Sequence, residues 1–145
     1  MTEKQVSPSE CSAAMHENDY AAKALGMQLI STALGQSIVS MSVRQDMLNG
    51  HGSCHGGMIF SLADTAFAHA CNSANKMTVA SGCTIDFLAP GRQGDVLSAH
   101  AIERSRSGRT GIYDVEVFNQ DETLVAVFRG RSHQLSGAVV VDASV

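Results

Sequence analysis

Residues 49–70 read NGHGSCHGGMIFSLADTAFAHA, and this stretch decides how the rest of the chain is interpreted. A glycine-rich loop leads into a long run of Met, Ile, Phe, Leu and Ala, which predicts a helix that is buried on nearly all sides. One carboxylate, Asp64, interrupts the run. An ionised carboxylate on a buried helix loses hydration and needs partners or a raised pKa, so Asp64 is a candidate for a functional site.

Patterns typical of β-strands lie on both sides of this helix. They span residues 27–34, 37–43, 77–88, 95–104, 111–119 and 123–135. The connections that follow the helix are short, and short connections favour antiparallel neighbours because parallel strands need long crossovers. We therefore expect an α+β fold in which an antiparallel sheet of about 5–6 strands wraps around one long central helix.

The 145 residues suit a single domain that spans residues 1–145. The N-terminal segment, residues 1–25, is predicted to be helical, because Ser7 and Ser9 flank Pro8 as candidate capping residues before an alanine-rich stretch. The last ten residues, 136–145, are predicted to form a weakly held tail.

Composition excludes several classes of protein. The net charge of −4 gives no basic field for nucleic acid, and no stretch has the roughly 18 apolar residues of a membrane span. Four cysteines without paired spacing indicate reduced thiols. The first twenty residues lack the apolar core of a signal peptide. We therefore expect a cytoplasmic protein that binds neither nucleic acid nor membrane.

The glycine-rich loop admits three other interpretations, each with a weakness. A phosphate-binding loop would need a lysine at a spacing that is absent. Cys54 beside His55 resembles a nucleophile and its base, but adjacent side chains usually point apart and no third group orients the histidine. A zinc site would combine His51, Cys54, His55 and Asp64, but the sequence contains no second element to complete it. We expect no metal.

Gly56 and Gly57 favour a fourth interpretation, a site for a carbonyl oxygen. Without a Cβ, these residues let a ligand approach the first N–H groups of the helix, which are unpaired and lie at the positive end of its dipole. Gly57 and Asp64 are separated by about 10 Å along a helix. One helix therefore cannot easily bring both to the same carbonyl group, whereas a two-fold dimer can.

The motif N-x(5)-H-G-G-x(6)-D resembles the hotdog-fold acyl-CoA thioesterases, in particular the phenylacetic-acid-degradation (PaaI-like) branch. Its positions are Asn49, His55, Gly56, Gly57 and Asp64. The similarity continues through SGCTIDFLAPGRQGD, GIYDVEVFNQ and VAVFRGRSH, and covers about residues 20 to 135. The resemblance implies the hotdog fold, a homodimer whose sheets join edge to edge, and often a homotetramer built as a dimer of dimers.

The resemblance also implies the chemistry. The Gly57 N–H would polarise a thioester carbonyl, while Asp64 of the other subunit activates water or attacks directly. Asn49 and His55 would orient the water, the acid or the leaving thiolate. In some relatives a Ser or Thr of the strand after the helix assists, and Ser81 is the nearest match, with Thr84 close by.

The implied substrate is an acyl-CoA with an aromatic, phenylacetyl-type acyl group, with or without ring hydroxyls. Coenzyme A enters only as part of substrate and product, so no cofactor is expected. The candidates for binding CoA or the acyl group are Arg104, Arg106, Arg109, Arg129, Phe60 and Phe67. Two alternatives stay open: a hotdog 3-hydroxyacyl-thioester dehydratase and a non-catalytic acyl-CoA-binding protein.

Overall fold

The computed structural model describes residues 5–141, which form three α-helices and six β-strands. The helices are α1 (Pro8–Glu17), α2 (Tyr20–Ala24) and α3 (Gly56–Cys71). The strands are β1 (Gln28–Ala33), β2 (Gln36–Ser42), β3 (Thr78–Phe87), β4 (Val96–Ser107), β5 (Thr110–Phe118) and β6 (Leu124–Gln134). Within the described residues, no helix has both the length and the apolar character needed to cross a bilayer.

The six strands form one antiparallel sheet in the order β1-β2-β4-β5-β6-β3. The first strand after α3 crosses to the far side and pairs with the last strand, so β3 forms one edge of the sheet. Helix α3 packs against one face of the sheet, mainly over β2, β4 and β5. The sheet around one long helix that the sequence predicts is therefore confirmed.

Small side chains let α3 lie close to the sheet. Ala63, Ala66 and Ala70 on the helix are fully buried, as are Ala99 and Ala101 on β4. Successive residues of β4 and β5 alternate between this core and the outer face, as expected for strands with one buried face. The buried face of the sheet thus fixes the position of α3 and of the side chains that α3 carries.

The N-terminal segment is helical, as predicted, but it is divided into two helices. Ser7 caps α1 by accepting a hydrogen bond from the Glu10 N–H at 3.1 Å. The Asp19 carboxylate caps α2 by accepting one from the Ala22 N–H at 3.0 Å. The capping side chain of Asp19 begins a second helix where the sequence pattern suggested one continuous stretch. Residues 1–4 of the predicted segment lie outside the described residues.

The segment after β6 is tied to the body more firmly than the expected loose tail. The Leu135 N–H donates to the Met77 carbonyl at 2.8 Å, and the Met77 N–H donates to the Gly137 carbonyl at 3.1 Å. The Val140 N–H donates to the Asn75 side chain at 2.8 Å. These bonds hold the chain as far as Val140, while residues 142–145 of the predicted tail lie outside the described residues.

Candidate active site

The loop before α3 is ordered by the side chain of Asn49. Its Oδ1 accepts hydrogen bonds from the N–H groups of His51 at 2.9 Å and Ser53 at 3.2 Å, and its Nδ2 donates to Ser53 Oγ at 3.2 Å. The backbone closes the same loop, because the Asn49 N–H donates to the Ser53 carbonyl at 2.8 Å. In this structure the Asn49 amide therefore shapes the loop that leads to the helix.

Helix α3 begins at two glycines whose surroundings explain the residue type. At Gly56, a Cβ would lie 3.0 Å from the ring of Phe87, which packs against the helix start from the end of β3. At Gly57, a Cβ would lie 3.0 Å from Nδ1 of His55. Gly57 is exposed, and its N–H donates to His55 Nδ1 at 2.9 Å, so the histidine is the N-cap of the helix. The helix start is thus open to solvent except for the His55 imidazole.

Asp64 lies two turns further along α3, where it is half-buried and close enough to Cys83 of the edge strand β3 for its charge to act on that thiol. Its carboxylate has no hydrogen-bond or ion-pair partner among residues 5–141. Burial raises the pKa of this carboxyl, and the negative charge of Asp19 at the start of α2 raises it further. A carboxylate that is partly desolvated and unpaired is a stronger base than an exposed one.

Strand β3 presents a thiol, and not a hydroxyl, to the side of the sheet that faces α3. Cys83 packs against the core, and its pKa is raised mainly by burial and further by the negative charge of Asp64. Ser81 lies at a β-bulge, where its hydroxyl donates to the Arg131 carbonyl at 3.1 Å and accepts from Arg131 Nε at 3.2 Å. Thr84 pairs with Arg129 across the outer face. Neither hydroxyl contacts Asp64 within the protomer.

The edge of the sheet beside Asp64 is open and partly apolar. Among the described residues, strand β3 pairs only with β6, so its other edge has unpaired backbone groups. Large apolar side chains of β3 and its flanks are exposed, with Val79 at 44% and Phe87 at 51%. An open edge of this kind is a template for pairing with another strand.

Two of the arginines expected to bind CoA are paired with a carboxylate on the outer face of the sheet. Arg129 binds Asp114 through two hydrogen bonds of 2.7 and 3.0 Å, and Arg104 Nε lies 3.0 Å from the same carboxylate. Arg129 is the main cause of the lowered pKa of Asp114. Arg106 Nε lies 4.0 Å from Glu103 Oε1, while Arg109 is exposed at the β4–β5 turn. The four arginines thus do not converge on one point.

The two phenylalanines expected at the substrate site lie in different environments. Phe67 is 1% exposed and packs among Tyr113 and Phe128, with ring centroids 5.4 and 5.9 Å away. Its ring also covers Gly130, where a Cβ would come within 2.7 Å. Phe60 is only partly buried and lies edge-on to Phe128 at 5.4 Å. In the protomer, Phe67 is a core residue and Phe60 borders the surface.

A cleft of about 410 Å³ lies beside the helix start, between the Asn49 loop and the β3–β4 connection. Its walls combine apolar side chains with polar groups of the loop: Asn49, Ser53, Ile59, Phe87, Leu88 and Pro90. Gly56 also lines this cleft, so the cleft borders the first residue of α3.

The surroundings of Cys54 and of the loop histidines support neither a cysteine nucleophile nor a zinc site. Cys54 is 5% exposed, and burial, with a contribution from Asp95, raises the pKa of its thiol, so the thiolate needed for attack is disfavoured. Among residues 5–141, no three His, Cys, Asp or Glu side chains gather around a point where a metal ion would fit.

Sequence reasoning missed three residues on or beside α3: Asp19, Cys83 and His69. His69 is 2% exposed, and its Nδ1 lies 2.9 Å from Ser12 Oγ on α1. A histidine in an apolar helix is visible in the sequence and was a usable signal. Asp19 and Cys83 come close to the helix only through tertiary packing, so no local pattern marks them.

Known proteins resemble this chain over most of its length. The family model of the thioesterase superfamily matches residues 51–126. The acyl-coenzyme A thioesterase PaaI of Escherichia coli K12 is 55% identical over 130 residues, which cover 90% of this chain and 93% of the relative.

Solved structures agree with that similarity. The E. coli PaaI protein from the phenylacetic acid degradation operon superimposes with a TM-score of 0.89 at 54% identity, over 90% of this chain and 95% of that one. The TT0310 protein of Thermus thermophilus gives 0.78 at 40% identity, over 81% and 99% of the two chains. A Streptococcus mutans UA159 protein bound to acetyl CoA gives 0.74 at 28% identity, over 77% and 90%. The chain therefore belongs to the thioesterase superfamily, with the hotdog fold and in the PaaI-like branch.

Proposed function

We propose that this protein hydrolyses acyl-CoA thioesters to a free carboxylic acid and CoA, without a metal ion. The observation that carries the proposal is Asp64, a half-buried carboxylate with a raised pKa and no partner among the described residues. It lies on the helix whose first turn contains Gly57, an exposed residue whose N–H donates to the His55 side chain. The similarity to a relative named as an acyl-CoA thioesterase supports the same function.

The reaction needs a group that drives attack on the thioester carbonyl and a group that stabilises the charge formed on its oxygen. Asp64 fits the first role in either of two ways. As a general base it takes a proton from water, whose oxygen attacks the carbonyl carbon; as a nucleophile it forms an anhydride that water then hydrolyses. In both routes the C–S bond breaks and the CoA thiolate leaves and gains a proton. The Gly57 N–H, at the positive end of the α3 dipole, fits the second role.

We propose a homodimer in which Gly57 of one subunit and Asp64 of the partner subunit serve the same substrate. Within one protomer the two groups are about 10 Å apart along the helix, too far to act on one carbonyl. The open apolar edge of β3 runs beside Asp64 and is suited to pairing with its own copy. In this arrangement each dimer has two sites, and two dimers assemble into a homotetramer.

The proposed substrate carries a phenylacetyl-type acyl group, with or without ring hydroxyls, and the enzyme acts in the cytoplasm. The origin of the E. coli relative in a phenylacetic acid degradation operon supports this choice. The cleft beside Gly56 suits the pantetheine arm, because it combines apolar walls with amide and hydroxyl groups. Arg106 and Arg109 do not contact Asp114, so they are better placed for the CoA phosphates than Arg104 and Arg129, which do.

Replacing Asp64 tests the reaction. We expect Asp64→Asn to lower the release of free thiol from phenylacetyl-CoA by about 100-fold or more, because it removes the base or nucleophile. Asp121→Asn, which changes an exposed carboxylate in the β5–β6 turn, is the matched control and should keep wild-type turnover. Near wild-type turnover by the Asp64→Asn variant would contradict the role of Asp64. Formation of an enoyl product from 3-hydroxyacyl-CoA in place of free thiol would identify a dehydratase, and binding without turnover a non-catalytic protein.

The shared site can be tested by mixing inactive subunits. Gly57→Pro removes the N–H, which has no partner within the helix, and the new ring would displace the exposed His55 imidazole. Subunits with Asp64→Asn and with Gly57→Pro should each be inactive alone. After unfolding and refolding together, mixed dimers contain one intact site, so activity should return to about a quarter of the wild-type value. No recovery, although the mixed dimers form, would show that one subunit supplies both groups.

A further inference from the structure

The His55 side chain occupies the very N–H group that the proposed function assigns to the substrate. The Gly57 N–H donates to His55 Nδ1 at 2.9 Å. The imidazole also lies against the glycine, since a Cβ built at Gly57 would come within 3.0 Å of Nδ1 and 3.2 Å of Cε1. A thioester carbonyl oxygen approaching this N–H meets the imidazole first.

The imidazole can leave this position without disturbing the helix. The His55 backbone is held on both sides, because its N–H donates to the Met47 carbonyl at 2.8 Å and its carbonyl accepts from the Met58 N–H at 2.9 Å. Its side chain is exposed, and the bond to Gly57 is its one hydrogen bond within residues 5–141. Rotation about the Cα–Cβ bond therefore breaks a single neutral hydrogen bond and leaves the start of α3 in place.

The hydrogen bond also fixes the chemical form of the histidine. An imidazole nitrogen that accepts a hydrogen bond carries no proton, so the ring is neutral and its proton is on Nε2. The Nδ1 atom of this form and a carbonyl oxygen are acceptors of the same kind, and one N–H cannot make a good bond to both at once. The two are direct competitors for the Gly57 N–H.

We infer that the His55 imidazole is a latch on the carbonyl site: it fills the site in the free protein and must rotate away before a thioester carbonyl can bind Gly57. This inference rests on the proposed function and adds a selection step to it. A ligand that places a carbonyl oxygen at Gly57 replaces the bond it breaks. Free CoA has no acyl carbonyl beside its sulfur, so this product leaves the latch closed and does not compete for the N–H.

Two unreactive analogues of phenylacetyl-CoA separate the steps. In the ketone analogue a CH₂ group replaces the thioester sulfur and the carbonyl remains; in the thioether analogue the sulfur remains and a CH₂ group replaces the carbonyl. The probe variants are His55→Ala and His55→Gly, which remove the acceptor; glycine is well tolerated at an N-cap. His55→Asn is the matched control, because asparagine caps helices through an oxygen that accepts from the same turn.

We expect the dissociation constant of the ketone analogue, measured by calorimetry, to fall roughly 2- to 12-fold in His55→Ala and His55→Gly, the range given by one neutral hydrogen bond. Affinity for the thioether analogue should stay unchanged, and His55→Asn should behave as the wild type towards both. In ¹⁵N spectra of the wild type, the ketone analogue alone should shift the His55 Nδ1 signal away from its hydrogen-bonded value.

Two outcomes of these binding experiments would contradict the latch, and they have different consequences for the proposed function. If the wild type binds both analogues but removal of the imidazole leaves the ketone-to-thioether affinity ratio unchanged or weakens ketone binding, the latch is wrong and the proposed function stands. If the wild type binds neither analogue, the proposed function fails and the latch fails with it.

Discussion

Burial of His69 predicts a specific loss of stability in mild acid. The imidazole is 2% exposed, and burial is the main reason that its pKa is lowered from 6.5 to about 4. The negative charge of Asp19 partly opposes this shift, and the nearby His16 adds to it. At a pH between about 4 and 6.5, the unfolded chain binds a proton at His69 that the folded chain does not. Stability therefore falls as the pH falls from about 6.5 through about 4.

The difference between the two pKa values of His69 determines how much unfolding free energy is lost in acid. A lowering from 6.5 to about 4, at about 1.4 kcal/mol for each pKa unit, corresponds to roughly 3 kcal/mol of unfolding free energy once both values are passed. That is a large share of the stability of a single domain. The loss concerns the contact of α1 with α3, because His69 Nδ1 bonds to Ser12 across it.

The assay is urea unfolding at a fixed protein concentration and at several pH values between 7 and 4, with wild type and His69→Asn compared at each pH. Asparagine places a polar atom close to the position of Nδ1 but cannot be protonated, so the stability difference should shift towards the variant by roughly 3 kcal/mol as the pH falls. Ser12→Ala is the control, because it removes the hydrogen bond but keeps the buried imidazole. It should cost about 1 kcal/mol at every pH. A parallel loss of stability in wild type and His69→Asn would refute the reasoning.

Two further predictions concern Asp64 on α3 and the contact between α3 and β6. A carboxyl whose pKa is raised by folding favours the folded state at low pH, and this contribution is lost as the pH rises above the ordinary value of 3.8. Asp64→Asn should therefore raise the thermal stability at pH 8, by about 1 kcal/mol or less for a partly solvated group, and have no such effect at pH 3; destabilisation at pH 8 would contradict it. Gly130→Ala should cost about 1–3 kcal/mol by overpacking, because its Cβ would lie 2.7 to 2.9 Å from the buried Phe67 ring. The cost should shrink by at least about 1 kcal/mol in a Phe67→Leu background, and additive costs would show that the two positions do not compete for space.

The sequence was sufficient for features that depend on local patterns. The start of α3 at Gly56 follows from a glycine pair before an apolar run, and each strand lies within about three residues of its predicted ends. The pairing of β3 with β6 depends on a choice among distant partners and could not be predicted from either segment alone. The same reason explains the arginines: Arg129 faces Asp114 only because β5 and β6 pair in one particular register. The position of the His55 ring depends on side-chain rotation, which no sequence pattern records.

The open edge of β3 and the raised pKa of Asp64 are connected in the proposed dimer. Within the protomer, Asp64 is only partly buried, and among residues 5–141 no strand covers the outer edge of β3. A partner strand paired along this edge would remove part of the water around Asp64 and raise its pKa further, since desolvation is already the main cause of the shift. Assembly would then do two things at once: it would bring Asp64 to the Gly57 N–H of the other subunit, and it would strengthen Asp64 as a base. A monomeric form would lack both, so loss of the β3 interface should abolish turnover even though every residue of the site is present.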